Sequence, residues 1–113
     1  MFGSNLAGRH GKGAALAAVR DHGAIYGQGI GLQGSSYAIP TKDRSLQPLP
    51  LHVIRSHVNA FLEFAENNPD MEFDVTRVGC GLAGYKDEQI APMFADIPMN
   101  VFLPPEWEGY LRD

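Results

Sequence analysis

Three glycine-spaced stretches hold the residues of this sequence best placed to do chemistry. In the first, Gly8-Arg9-His10-Gly11-Lys12-Gly13 runs directly into Ala14-Ala15-Leu16-Ala17-Ala18-Val19-Arg20, which is rich in the strongest helix former. Glycine has no Cβ to hold a phosphate away from the backbone. The free N–H groups of a helix start carry the positive end of its dipole. Gly11-Lys12-Gly13-Ala14 therefore has the layout of an anion site. No Lys-Ser or Lys-Thr pair follows the last glycine, so it is not a P-loop, and the spacing is not that of a dinucleotide fingerprint. A plain strand-to-helix turn uses the same residue types, and this stretch alone does not separate the two readings. His10 lies inside the loop and titrates near neutrality, which makes it the leading general acid or base, or else an exposed loop histidine.

The stretch Gly79-Cys80-Gly81-Leu82-Ala83-Gly84-Tyr85 is a second candidate cradle. Two cradles at one sheet edge suit a diphosphate better than a single phosphate. Lys42 is either a solvated turn residue beside Asp43 or, with a lowered pKa, an amine nucleophile able to form a Schiff base. Asn5 either hydrogen-bonds a ligand hydroxyl or caps its own turn. Cys80 is a small packing residue or a reactive thiol, and Arg77 pairs with a phosphate or with a carboxylate such as Asp74. Tyr26 and Tyr37 flank a further glycine-rich stretch, where they either pack or stack on a flat ring. His22, His52 and His57 have no metal-ligand spacing with one another or with Cys80, so neither a metal site nor a cofactor is expected.

The elements that must position these residues follow from periodicity and punctuation. Strands are predicted near Met1–Gly3, Tyr37–Pro40, Phe73–Val78 and Asn100–Leu103, and helices near Gly13–Asp21, Leu51–Glu66 and Asp87–Ala95. Leu51, Ile54, Val58, Phe61, Leu62 and Ala65 form one apolar stripe, and Asp87 is placed to cap the last helix. Ile25 to Ser36 reads as a loop, Thr41 to Arg44 as a turn, and Trp107 as a tail residue covering the sheet edge or an oligomer contact. Strands alternating with helices imply crossover connections and a largely parallel α/β sheet in one domain, 1–113. Ligands bind such sheets at the carboxyl ends of the strands, where the loops Asn5–Gly13, Thr41–Arg44 and Gly79–Tyr85 leave.

Composition narrows the function classes. The 113 residues are 44% hydrophobic, which fits one folded core. A net charge of −4 excludes a global basic footprint for nucleic acid. One cysteine forbids an intrachain disulfide and points to a reducing setting. No apolar run is long enough to span a membrane and no signal-peptide pattern opens the chain, so a cytoplasmic protein is expected. The oligomeric state is not legible.

Two of these stretches carry a family resemblance. Phe2-Gly3-Ser4-Asn5 through Gly13-Ala14-Ala15 resembles the macrodomain segment in which an asparagine ends a strand and a glycine run enters a helix. Arg77-Val78-Gly79-Cys80-Gly81-Leu82-Ala83-Gly84-Tyr85 resembles the macrodomain phosphate loop. It is most similar to the subgroup of the terminal ADP-ribose protein glycohydrolase, which also has a Thr-Lys pair like Thr41-Lys42. In size the chain is similar to small phage and prophage proteins.

The resemblance implies a minimal three-layer fold and binding of ADP-ribose or a related nucleotide, free or attached to a macromolecule. By that analogy Asn5 faces the distal ribose, Gly11, Lys12 and Gly13 line the diphosphate, and Gly79, Cys80, Gly81, Leu82, Ala83 and Gly84 form the other wall, with Tyr85 beside it. The alternatives are an ADP-ribosyl hydrolase using Asn5, His10 or Lys42, and a partner-binding protein with no pocket. The sequence departs from the family twice. The early strands with the acidic residue that reads adenine have no match, and Ala83 stands where the subgroup has its aspartate.

Overall fold

The computed structural model describes residues 1–11, 13–76 and 84–110, with the backbone alone at 13, 14, 108 and 110. Its order is β1 (Phe2–Asn5), α1 (Gly13–Asp21), β2 (Gly31–Gln33), β3 (Ser36–Lys42), α2 (Leu51–Glu66), β4 (Phe73–Asp74), α3 (Asp87–Ile90) and β5 (Val101–Phe102). Short 3₁₀ helices occupy Ala91–Phe94 and Pro105–Tyr110. The molecule is a small α/β domain.

The two longest helices fall where the sequence places them. α1 is built on alanines and stops at Gly23, whose φ of 74° lets the Ala24 N–H turn back to the Ala18 carbonyl at 3.1 Å. α2 starts after Pro50 and buries Ile54, Val58, Phe61 and Ala65 of the predicted stripe, with Leu51 and Leu62 half-buried. The Asn100 amide closes its far end, donating to the carbonyls of Ala65 at 2.9 Å, Asn68 at 3.1 Å and Met71 at 2.8 Å.

β1 and β3 are parallel neighbours joined by a crossover through α1, in the register Phe2↔Ala38, Gly3↔Ile39, Ser4↔Pro40 and Asn5↔Lys42. β1 thus runs on through Ser4 and Asn5, past the predicted end at Gly3. β4 and β5 are a second parallel pair. The Met1 amino group donates to the Asp74 carbonyl at 3.0 Å and ties β4 to the start of β1.

The expectation of a loop from Ile25 to Ser36 is wrong. Gly34, with φ of 57°, makes a tight turn that folds β2 back antiparallel on β3. The larger sheet is therefore mixed, in the order β1-β3-β2. A three-residue strand among four glycines leaves too little alternation to read from sequence.

Smaller corrections follow the same kind of physics. Thr41 and Lys42 belong to β3, and the turn begins only at Asp43, whose carboxylate accepts the N–H groups of Ser45 at 2.8 Å and Gln47 at 3.0 Å. Among the described residues the strand expected from Phe73 pairs only over Phe73–Asp74, and the last strand is Val101–Phe102. The third helix narrows to 3₁₀ geometry after Ile90, because Pro92 has no N–H for an α-helical bond. Lys86, not Asp87, is its N-cap residue; the Gln89 side chain accepts the Lys86 N–H at 2.9 Å.

β3 separates two clusters. Tyr37 and Ile39 face α2 and join Val58, Phe61, Phe73, Phe94 and Val101 in the larger one. Ala38 faces the other way and packs with Phe2, Ala15 and Ala18 under α1. Alternation along the strand therefore sets α1 and α2 on opposite faces. Trp107 is not a covering tail residue. It is fully buried in the larger core, 5.1 Å from the Phe94 ring, and its indole N–H donates to Asp87 Oδ1 at 2.9 Å.

The glycines that join the first glycine-rich stretch and the end of β1 to the Ile25–Ser36 stretch are there for contact. A Cβ on Gly8 would lie 2.2 Å from the Gly27 carbonyl carbon, and one on Gly29 would lie 2.0 Å from the Asn5 carbonyl oxygen. A Cβ on Gly11 would meet nothing within 4 Å, and its φ is not in the left-handed region. We expect Gly29→Ala to cost about 1–3 kcal/mol in urea unfolding through overpacking, while Gly11→Ala stays within about 0.5 kcal/mol of wild type. Leu46 is the one described non-glycine residue at positive φ, 64°. Leu46→Gly should add about 1 kcal/mol, measured the same way, by relieving the left-handed backbone.

Candidate functional site

The parallel register brings Asn5 and Lys42 side by side at the carboxyl ends of β1 and β3. The Leu6 N–H extends the ladder to the Lys42 carbonyl at 2.9 Å, just where the first glycine stretch departs. On the other side, the Leu49 N–H donates to the Thr41 carbonyl at 2.8 Å, and the Tyr85 hydroxyl donates to the Leu49 carbonyl at 2.6 Å. Tyr85 thus ties the end of the 79–85 stretch to the segment beside the end of β3. Lys12 and residues 77–83, and with them Arg77 and the expected wall of Gly79, Cys80, Gly81, Leu82 and Ala83, lie outside the described residues.

Asn5 acts within its own turn. Its Oδ1 accepts the Arg9 N–H at 2.9 Å and its Nδ2 donates to the Arg9 carbonyl at 2.8 Å. This two-sided clamp fixes the path of the chain into His10 and Gly11. Of the two roles open for Asn5 in the sequence, the turn-forming one is present here. Lys42 is half-buried, and among the described residues its ammonium has no hydrogen bond or ion pair. The neighbouring Asp43 carboxylate is occupied by its own turn.

His10 is not an exposed loop residue. It is 1% exposed and sits edge-on to Phe2, 5.1 Å between ring centroids, and to Tyr26 at 6.1 Å. Among the described residues neither Nδ1 nor Nε2 has a hydrogen-bond partner. Burial pushes its pKa below the ordinary value of 6.5, so at neutral pH the ring is uncharged. A neutral imidazole offers one donor and one acceptor. Gly11 follows it, exposed, at the start of the path into α1.

The sequence missed how the Ile25–Ser36 stretch serves this corner. Gln33, fully buried, receives the Ile25 N–H on Oε1 at 2.8 Å and donates from Nε2 to the Gln28 carbonyl at 2.6 Å. The Gly27 N–H donates to the Gly8 carbonyl at 2.7 Å, and Ser4 Oγ donates to the Gly29 carbonyl. The stretch is laid against the end of β1 and the first glycine loop. A glutamine among glycines reads as a solvated polar residue, so nothing in the sequence signals this clamp. Tyr26 and Tyr37 part company: Tyr26 stands by His10, whereas Tyr37 packs into the core against Phe61 and Phe64 at 5.0 and 5.2 Å.

Among the described residues no group of three or more His, Cys, Asp or Glu side chains could hold a metal ion, and no helix is long and apolar enough to cross a membrane. The chain matches no protein-family model, no curated protein and no solved structure.

The state of His10 makes stability depend on pH. In the unfolded chain it titrates near 6.5, and in the fold below that. The stability gained by keeping it neutral is complete above about pH 6.5 and is lost as pH falls from there through the folded value. His57 on α2, also lowered by burial, acts in the same direction. Urea melts between pH 7.5 and 5 should show falling stability on acidification. His10→Phe should remove part of that slope and leave stability at pH 7.5 unchanged or raised by up to about 1–3 kcal/mol, because two unsatisfied buried nitrogens go. A variant with the full wild-type slope would show that His10 does not carry it.

Proposed function

We propose that the chain is a nucleotide-binding module of macrodomain-like architecture, holding ADP-ribose or a related nucleotide diphosphate at the carboxyl ends of β1 and β3. His10 carries this reading. An apolar ring would fill its site without the cost, about 1–3 kcal/mol, of idle buried polar atoms. A ligand oxygen or hydroxyl brought to Nδ1 or Nε2 supplies the missing partner. Gly11 supports the reading, since the fold has no steric need for a glycine there, and backbone N–H groups entering α1 favour an anion. Lys12 and Gly13 would continue this wall, and Gly79 to Gly84 would form the facing one, with Tyr85 anchoring its end.

The architecture belongs to the same proposal. Helices on both faces of β3 and a crossover between parallel strands support a minimal three-layer macrodomain-like fold. The antiparallel β2 departs from a purely parallel sheet.

One observation favours a hydrolase reading, with an ADP-ribosylated macromolecule as substrate. Lys42, its ammonium unpaired among the described residues, is the ladder partner of Asn5 at the rim. A lysine amine that loses its proton can attack an opened ribose.

Ligand at one hundred times its dissociation constant should stabilise the domain by about 2.7 kcal/mol. We expect ADP-ribose to raise the melting temperature of wild type, and Gly11→Ala to melt like wild type alone while needing more ligand for the same shift. No shift at millimolar ADP-ribose or ADP would end the nucleotide reading. If the chain is a hydrolase, Lys42→Ala should abolish release of ADP-ribose from a modified protein or nucleic acid and keep the thermal shift; release undiminished by Lys42→Ala would remove the lysine from the chemistry.

A further inference from the structure

Two rings lie against the His10 imidazole, and they differ in freedom. Phe2 is 3% exposed, set in β1 opposite Ala38 and packed under α1. Tyr26 is 62% exposed. Among the described residues its hydroxyl has no hydrogen-bond partner. The backbone around it, by contrast, is pinned. The Ile25 N–H is held by Gln33, the Gly27 N–H by the Gly8 carbonyl, and the Gln28 carbonyl by the Gln33 amide. Gly27 itself cannot shift toward Gly8, since these two backbones are already in contact.

We propose that Tyr26 is a gate: its ring is the movable outer cover of His10, and its rotation opens the imidazole to solutes while the domain stays folded. The motion is confined to side-chain torsions, since the loop that carries Tyr26 stays anchored to β1 and to the first glycine loop. Exposed side chains change rotamer in picoseconds to nanoseconds, far faster than a domain unfolds. Among the described residues the gate is held shut by an edge-to-face ring pair with His10, on a largely solvated side chain. The closed state keeps the ring neutral and unpartnered. The open state gives its nitrogens access to water or to a hydrogen-bonding ligand. The gate follows from the surroundings of His10 and needs no particular ligand, so its test contains no nucleotide, and its failure is separate from failure of the nucleotide reading.

The test is modification of histidines by diethyl pyrocarbonate, read residue by residue by mass spectrometry on the folded chain, with exposed His22 and His52 as internal references. In wild type, His10 should react more slowly than the references, at a rate insensitive to low urea, as for a local opening. Tyr26→Ala should raise the His10 rate about three- to tenfold, the factor held by one aromatic pair, and leave His22 and His52 unchanged. Tyr26→Phe should keep the wild-type rate. A His10 rate that climbs with urea along the full slope of global unfolding would overturn the gate, as would Tyr26→Ala with unaltered His10 reactivity. Should Tyr26→Ala fail to fold, the urea dependence of wild type decides by itself.

Discussion

The parallel ladder between β1 and β3 is the constraint on which the other contacts rest. It forces a crossover, which becomes α1, and it gives β3 two buried faces. One face packs Ala38 with Phe2 and the alanines of α1, and the other takes the large side chains of α2 and the following elements. The register shift between Ser4 and Asn5 sets Asn5 against Lys42. From that point the chain turns through the Asn5–Arg9 clamp into His10. Were the ladder to slip by one residue, side chains on the two faces would exchange, and neither cluster could pack.

Around this ladder the polar chemistry is unevenly shared. Asn5, Gln33, Ser4 and Thr41 are buried, and each spends its hydrogen-bonding groups on backbone. His10 is buried too and, among the described residues, spends none. A protein that has satisfied the other buried polar groups described at this corner, down to the glutamine of β2, retains one imidazole that its own described residues do not use. That contrast separates His10 from the structural residues beside it more sharply than its place in a glycine loop does.

The sequence made some of this legible and not the rest, for identifiable reasons. α1 and α2 could be read to the residue, because alanine propensity, the stripe from Leu51 to Ala65, and the stops at Gly23 and Asn67 agree with one another. β2 could not, since three residues flanked by glycines carry no period. Pro92 announced a limit on the third helix, yet not that the chain would go on as a 3₁₀ turn. Among site residues, the adjacency of Asn5 and Lys42 follows from two strands ending at one edge, which the alternation of elements already implied. The burial of His10 did not, because it depends on Tyr26, carried by a loop whose docking is set by glycine-to-glycine contacts. Glycines made for a ligand and glycines made for another backbone look alike in one dimension. Only the space around Gly8, Gly29 and Gly11 tells them apart.

Trp107 closes the larger core from far along the chain, against Phe94 and Asp87. The smaller cluster under α1 is assembled from residues between Phe2 and Ala38, all made before α2. A nascent chain emerging from the ribosome can therefore set α1 on its strands while the opposite face of β3, with Tyr37 and Ile39, waits for α2 to cover it. The rest of the larger core stays open until Trp107 has met Phe94, so that interval is when the growing chain has most to gain from a chaperone.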